Sequence, residues 1–152
     1  MKRIAFMVSG GGTNMQAVID EIKKGGIKAQ PVLMIASNRD CYALKRAEKE
    51  RLPAFSLPLK EYKDREERDA AILKLLKEYK VDLLLLAGFL GIISDNIINV
   101  YKNRIMNIHP ALLPSFGGAG FHLVIQRGVI LAKVFIQLGL THHKSKFVII
   151  FH

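Results

Sequence analysis

The sequence predicts a single α/β domain built on a doubly wound, mainly parallel sheet. Three observations carry that expectation. Apolar runs of strand length alternate with segments of helical period, and the connections between them are short. The run Val81–Ala87 (VDLLLLA) is apolar almost throughout, as a parallel strand covered on both faces should be. With 152 residues, half of them apolar and about a quarter charged, the chain can bury one sizeable core and is too apolar for wholesale disorder.

Arg3–Val8 reads as the first strand, followed at once by the turn Ser9-Gly10-Gly11-Gly12-Thr13-Asn14. From there Met15, Val18, Ile19 and Ile22 recur at helical spacing. Asp20, Glu21, Lys23 and Lys24 occupy the other face, and Gly25-Gly26 ends the helix. Pro31–Ala36 is a second buried strand, and Ser37–Asp40 is a turn suited to capping a helix over Tyr42–Arg51. Pro53–Leu57 makes a short strand. Tyr62–Tyr79 makes a long amphipathic helix, with Ala71, Leu75 and Leu76 toward the core and its charges toward water. Beyond Val81–Ala87, Asp95–Val100 forms a helical turn and Arg104–His109 a further strand. Right-handed crossovers between such strands gather ligands at their carboxyl ends. The chain shows no internal repeat, low-complexity tract or linker.

Composition excludes several classes. The single cysteine, Cys41, rules out a disulfide framework and a Cys-based zinc site, and with no accompanying Cys–His motif it reads as a packing thiol. Met1-Lys2-Arg3 and the short glycine-bounded run after it do not make a signal peptide. The longest apolar run, Val81–Ile93, contains Asp82 and two glycines and falls short of the roughly 18–20 residues a membrane helix needs. A cytoplasmic protein without membrane attachment is therefore expected. The net charge of +10 suits an anionic partner such as phosphate, polyglutamate or nucleic acid. A nucleic-acid surface would interleave basic with aromatic residues. Here Lys and Arg sit mostly on helices beside acidic neighbours, so small anions are expected and nucleic acid is not.

Two motifs carry chemistry. Backbone N–H groups at the start of a helix, reached through glycines, form an anion site without a side-chain charge, and Thr13 and Asn14 can add donors. A dinucleotide fingerprint is not completed, because Met15 stands where a third glycine is needed and the second strand does not end on an acidic residue. A mononucleotide or phosphoribosyl ligand fits better. The second motif is Asn107-Ile108-His109-Pro110. On a strand Asn107 and His109 project to one side while Ile108 enters the core, and Pro110 ends the strand. An amide donor beside an imidazole suits acyl transfer, the first holding a developing oxyanion and the second moving a proton.

SGGGTNMQ (9–16), LAGFLGIIS (86–94) and above all MNIHPALLPSFGGAGFH (106–122) together resemble the glycinamide ribonucleotide formyltransferases, over about four-fifths of the chain. The resemblance implies a Rossmann-like formyltransferase fold. It also implies transfer of a formyl group from 10-formyltetrahydrofolate to the amine of glycinamide ribonucleotide, in purine synthesis and without a metal. By the same resemblance Gly12, Thr13 and Asn14 hold the ribonucleotide phosphate, and Arg65 contacts the folate. Phe89, Leu90, Gly91, Ile92 and Ile93 wall the pterin pocket, where the family often has an arginine in place of Gly91. Asn107 polarises the formyl oxygen and also touches the folate, while His109 shuttles the proton. The expected partners are these two small molecules, with a homodimer as the candidate assembly.

The resemblance stops at His122. All 13 acidic residues lie between Asp20 and Asp95, whereas all five histidines (His109, His122, His142, His143 and His152) follow them. Residues 1–122 are accordingly expected to be the α/β core. Residues 123–152 are expected to be an aberrant tail, from a frameshift or misassembly, that forms no separate domain. On this expectation His109 lacks the family's partner aspartate; neutralising the equivalent aspartate of a serine protease costs about four orders of magnitude in rate. The apolar end Phe147–Phe151 would leave an uncovered, sticky edge, and His142-His143 lacks further ligands for a metal. Three alternatives stay open: an inactive nucleotide- or folate-binding fragment, another formyltetrahydrofolate-using enzyme, or an NADP-linked oxidoreductase using Arg39.

Overall fold

A computed structural model describes residues 1–109 together with the short backbone segments 130–132 and 148–151. The remainder of the 106–122 motif beyond His109, the His142-His143 pair and Phe147 lie outside the described residues. The elements are β1 (Lys2–Val8), α1 (Thr13–Lys23), β2 (Ala29–Ala36), α2 (Ala43–Lys49), β3 (Ala54–Ser56), α3 (Arg65–Glu78), β4 (Leu83–Ala87), α4 (Asp95–Val100), β5 (Ile105–His109), β6 (Ile130–Ala132) and β7 (Val148–Phe151). A single 3₁₀ turn, Leu59–Glu61, precedes α3.

The strands form one sheet in the order β3-β2-β1-β4-β5-β7-β6. The first five are parallel, as the alternating pattern predicts, and β7 runs antiparallel to both β5 and β6. Val148–Phe151 therefore extends the sheet by pairing with Met106–His109, which corrects the expectation of an open apolar end at those residues.

Alternation along each strand splits the core in two. On one face Ile4, Phe6 and Val8 of β1 meet Met15, Val18 and Ile19 of α1 and Ala43 and Ala47 of α2. On the other, Ala5 and Met7 meet Ile72 and Leu76 of α3 and Ile97 of α4. Leu84, Leu85 and Leu86 are all buried, so β4 is covered on both sides, the reason it reads as an unbroken apolar run.

Helices α2 and α3 are both shorter than the sequence expectation, for local reasons. α3 begins at Arg65 because Asp64 caps it: its carboxylate accepts the Glu67 N–H at 2.8 Å, and Glu67 in turn accepts the Lys63 N–H at 2.7 Å. The turn at Ser37–Asp40 does not cap α2, whose N-cap is Tyr42 without a side-chain bond. Ser37 and Asn38 bond Ser9 instead. α2 stops before Arg51, which adopts a left-handed conformation (φ 53°) while Leu52 N–H returns to the Ala47 carbonyl at 2.8 Å. α3 closes in the same way, with Lys80 at φ 50° and Val81 N–H on the Leu76 carbonyl.

α1 and α2 are tied through Glu50, which meets the Lys23 ammonium and accepts from Gln16 Nε2 at 2.8 Å. Lys23 foremost, then Gln16, holds the Glu50 carboxyl below its ordinary value of 4.5. A depressed carboxylate stabilises the fold above its unfolded value and stops doing so as pH falls through the folded one. Lys23 is largely exposed, so the contribution is below about 1 kcal/mol. Urea titrations should thus find Glu50→Gln slightly less stable than the parent at neutral pH, with the gap closing as pH drops below 4.5. A gap that persists unchanged in acid would contradict this assignment.

Candidate functional site

β1 feeds α1 on one face of the sheet, while the neighbouring β4 leads through residues 88–94 to α4 on the other. The two loops diverge at the carboxyl ends of adjacent parallel strands, the position where open α/β sheets hold ligands.

The first loop is shaped by its glycines and by α2. Gly12 is buried with φ 73°, and a Cβ there would lie 2.7 Å from Ala43 Cβ, so only glycine fits. The Gly10 carbonyl accepts from Ala43 N–H at 3.2 Å and lies 2.8 Å from Cys41 Sγ, and the Gly11 carbonyl accepts from Arg46 Nε at 2.7 Å. Cys41 is buried, which suits the packing role read from the sequence. No side chain caps α1, whose first residues are the exposed Thr13 and half-buried Asn14. A methyl group added to Gly10 or Gly11 would meet nothing within 4 Å, so the outer surface of the loop is open.

The second loop is joined to the first at its base. Ser9 N–H donates to the Gly88 carbonyl at 3.1 Å, and Leu90 N–H donates to Ser9 Oγ at 2.9 Å. Gly88 has φ 70°, and Asn14 Nδ2 lies 3.9 Å from where its Cβ would be, so the start of α1 adjoins this loop. Phe89 and Ile93 pack on the second core cluster, whereas Leu90 and Ile92 are 89% and 59% exposed. The Phe89 ring covers Gly91, with Phe89 Cζ 2.6 Å from a Cβ at that position.

α3 supplies the outer support. Its buried face holds not only Ile72 and Leu76 but also Arg68 and Asp69, 3% and 0% exposed, which corrects the expectation that its charges all face water. Arg68 Nε and Nη2 lie 2.8 and 2.7 Å from Asp69 Oδ1. Asp69 Oδ2 accepts the Ser94 N–H at 2.5 Å, and Arg68 Nη2 donates to the Ile92 carbonyl at 3.0 Å. Arg65 is the first residue of this helix, half-buried, with an Nε that has no hydrogen-bond partner.

β5 completes the arrangement. Met7 of β1, Leu86 of β4 and Asn107 of β5 stand in one row across the sheet. The half-buried Asn107 is therefore two strands, roughly 10 Å, from the end of β1. Ile108 is buried in the first core cluster, as the sequence predicts, and His109 is the last residue of the strand. Arg39, the basis of the dinucleotide alternative, forms a bidentate pair with Glu61 at 2.6 and 2.8 Å. Among the described residues no three His, Cys, Asp or Glu side chains are grouped to hold a metal ion, and no helix is long and apolar enough to cross a membrane.

Residues 2–137 match the family described as formyl transferase. The chain belongs to that family. It is 39% identical over 128 residues to the trifunctional purine biosynthetic protein adenosine-3 of Gallus gallus, covering 84% of this chain and 13% of that protein. It is 37% identical over 118 residues to the phosphoribosylglycinamide formyltransferase of Haemophilus influenzae, covering 78% of this chain and 56% of that one. Among solved structures it is similar to glycinamide ribonucleotide transformylase 1 of Symbiobacterium toebii, with a TM-score of 0.74 and 36% identity over 85% of this chain and 62% of that one. The chain thus spans little more than half of the Haemophilus relative and about an eighth of the avian one.

Within the two loops and α3, the structure adds residues that sequence reasoning passed over. Ser9, first residue of the glycine motif but given no role there, and Arg46, Arg68 and Asp69, which belong to neither motif, shape the crevice. The signals for the last two were faint: two adjacent charges at the spacing of the buried stripe, i−4 and i−3 from Ile72.

The packing at Gly12 makes a direct prediction. Gly12→Ala adds left-handed strain and a clash with Ala43, and should lower stability by about 2–4 kcal/mol. Gly10→Ala, with open space around it, should change it by less than about 1 kcal/mol. Denaturant midpoints of the two variants decide the matter, and equal midpoints would refute the close-approach argument.

Proposed function

We propose that this chain transfers a formyl group from 10-formyltetrahydrofolate to the amine of glycinamide ribonucleotide. The observation that carries the reading is the row Met7–Leu86–Asn107, which puts an amide donor at the same end of the sheet as the glycine loop. The names of the Haemophilus and Symbiobacterium relatives support the same reaction and substrate.

On this reading the uncapped N-terminus of α1, with Gly12, Thr13 and Asn14, holds the ribonucleotide phosphate, because the helix dipole and free N–H groups there favour an anion. The donor's ring lies against Phe89, Leu90, Gly91, Ile92 and Ile93, and Arg65 meets a polar group of the folate through its guanidinium, whose Nε has no partner. Residues 1–122 form this catalytic core, and residues 123–152 add no second domain.

The chemistry asks little beyond positioning and charge. The substrate amine attacks the formyl carbon, and the carbonyl oxygen gains negative charge. Collapse of the tetrahedral intermediate breaks the bond from that carbon to N10 of the folate. Asn107 Nδ2 donates to the developing oxyanion, where one preorganised donor is worth about two to three orders of magnitude in rate. His109 takes the proton lost by the attacking nitrogen and returns one to N10, as an imidazole near neutral pH can.

The test is a formyl-transfer assay with glycinamide ribonucleotide, run beside release of formate from the donor alone. Transfer should exceed hydrolysis, and Asn107→Ala should lower kcat by about 10²–10³ with smaller changes in KM. Binding of both substrates without turnover would leave a binding fragment, and formate release alone would indicate a hydrolase; either result overturns the proposal.

A further inference from the structure

We propose that Arg68 and Asp69 are positioning residues for the formyl donor, acting through the loop that walls its pocket; the inference rests on the formyl-transfer reading above. Burying an ion pair is a poor route to stability, since apolar residues of similar volume usually do as well. What distinguishes this pair is where its remaining hydrogen bonds go. Asp69 Oδ2 takes the Ser94 N–H, Arg68 Nη2 gives to the Ile92 carbonyl, and the guanidinium carbon sits 6.0 Å from the Phe89 ring centroid. Every one of these contacts lands on residues 89–94.

Ser9 Oγ pins the same loop from the other side through Leu90 N–H. Between the pins, Leu90 and Ile92 project into water, 89% and 59% exposed. A short loop fastened at three backbone points that still displays two large apolar side chains is built to meet a ligand, since among the described residues nothing covers them. The shape such a surface suits is a flat, largely apolar ring. Arg65 stands one helical turn before Asp69 on the same face of α3, with its Nε unpartnered. One helix thus fixes the wall and presents a cation beside it, while the phosphate end of the crevice is built separately by α1 and α2.

Separation of the two ends makes the proposal testable. Arg68→Met removes the link to the Ile92 carbonyl and strands Asp69. Arg68→Lys keeps a cation for Asp69 but cannot reach both partners. With the full chain, binding of tetrahydrofolate should weaken about tenfold or more in Arg68→Met and by a smaller factor in Arg68→Lys, the scale of losing a hydrogen bond to a charged group. Binding of ribose 5-phosphate should change less than about twofold in either variant, since the hydrogen bonds of Arg68 and Asp69 go to one another, Ile92 and Ser94 and none to the glycine loop. Amide exchange at Leu90 and Ser94 should quicken in step with the loss of donor affinity.

A fall in melting temperature with tetrahydrofolate affinity unchanged would assign the pair a structural role only and overturn the proposal, as would equal weakening of both ligands. Should Arg68→Met fail to fold, the same comparison in Arg68→Lys decides. If the unsubstituted chain binds no tetrahydrofolate, the formyl-transfer reading fails before any substitution is made, and the positioning claim falls with it.

Discussion

The parallel pairing of β1 with β4 is the constraint from which the rest follows. It joins two strands far apart in sequence, Ile4–Met7 against Leu83–Leu86, and so sends their loops to opposite faces of the sheet. A crevice opens between those loops because neither helix that follows can cover it. Pairing of β4 with β5 then sets Asn107 level with Leu86, and the alternation of strand residues puts Ile108 into the core. Shifting either register by one residue would reverse which side chains are buried, so the core itself holds the amide where it stands.

The hydrogen bonds around Ser9 give that crevice a rigid floor. Its hydroxyl, carbonyl and N–H are all engaged, by Leu90 and Ser37, by Asn38, and by Gly88 respectively. β1, the β2 turn and the β4 loop are thus fastened at one residue. Ser37 and Asn38, which look like helix-capping residues, lie too far before Ala43 to cap α2 and turn their side-chain donors to the floor.

Most of the fold was legible in the sequence because it rests on period and local stops. The glycine loop, the β4 run and the strand ending at His109 are each signalled by neighbouring residues. What escaped was of two kinds. Helix ends moved by two or three residues where left-handed Arg51 and the Asp64 cap act, since such conformations depend on one or two hydrogen bonds. The buried charges of α3 escaped because a charge reads as solvent-facing until its partner is known, and the partners of Asp69 and Arg68 lie more than twenty residues downstream. In the site, the motif residues could be read directly, whereas the residues that support them could not.

Phe89 and Gly91 are coupled through their packing. The phenyl ring lies in the space that any side chain at 91 would enter, so substitution at 91 depends on what stands at 89. A larger residue at 91 is admissible only after 89 has shrunk or swung aside. The ring thus makes the tolerance of position 91 conditional on position 89, a local epistasis set by van der Waals overlap.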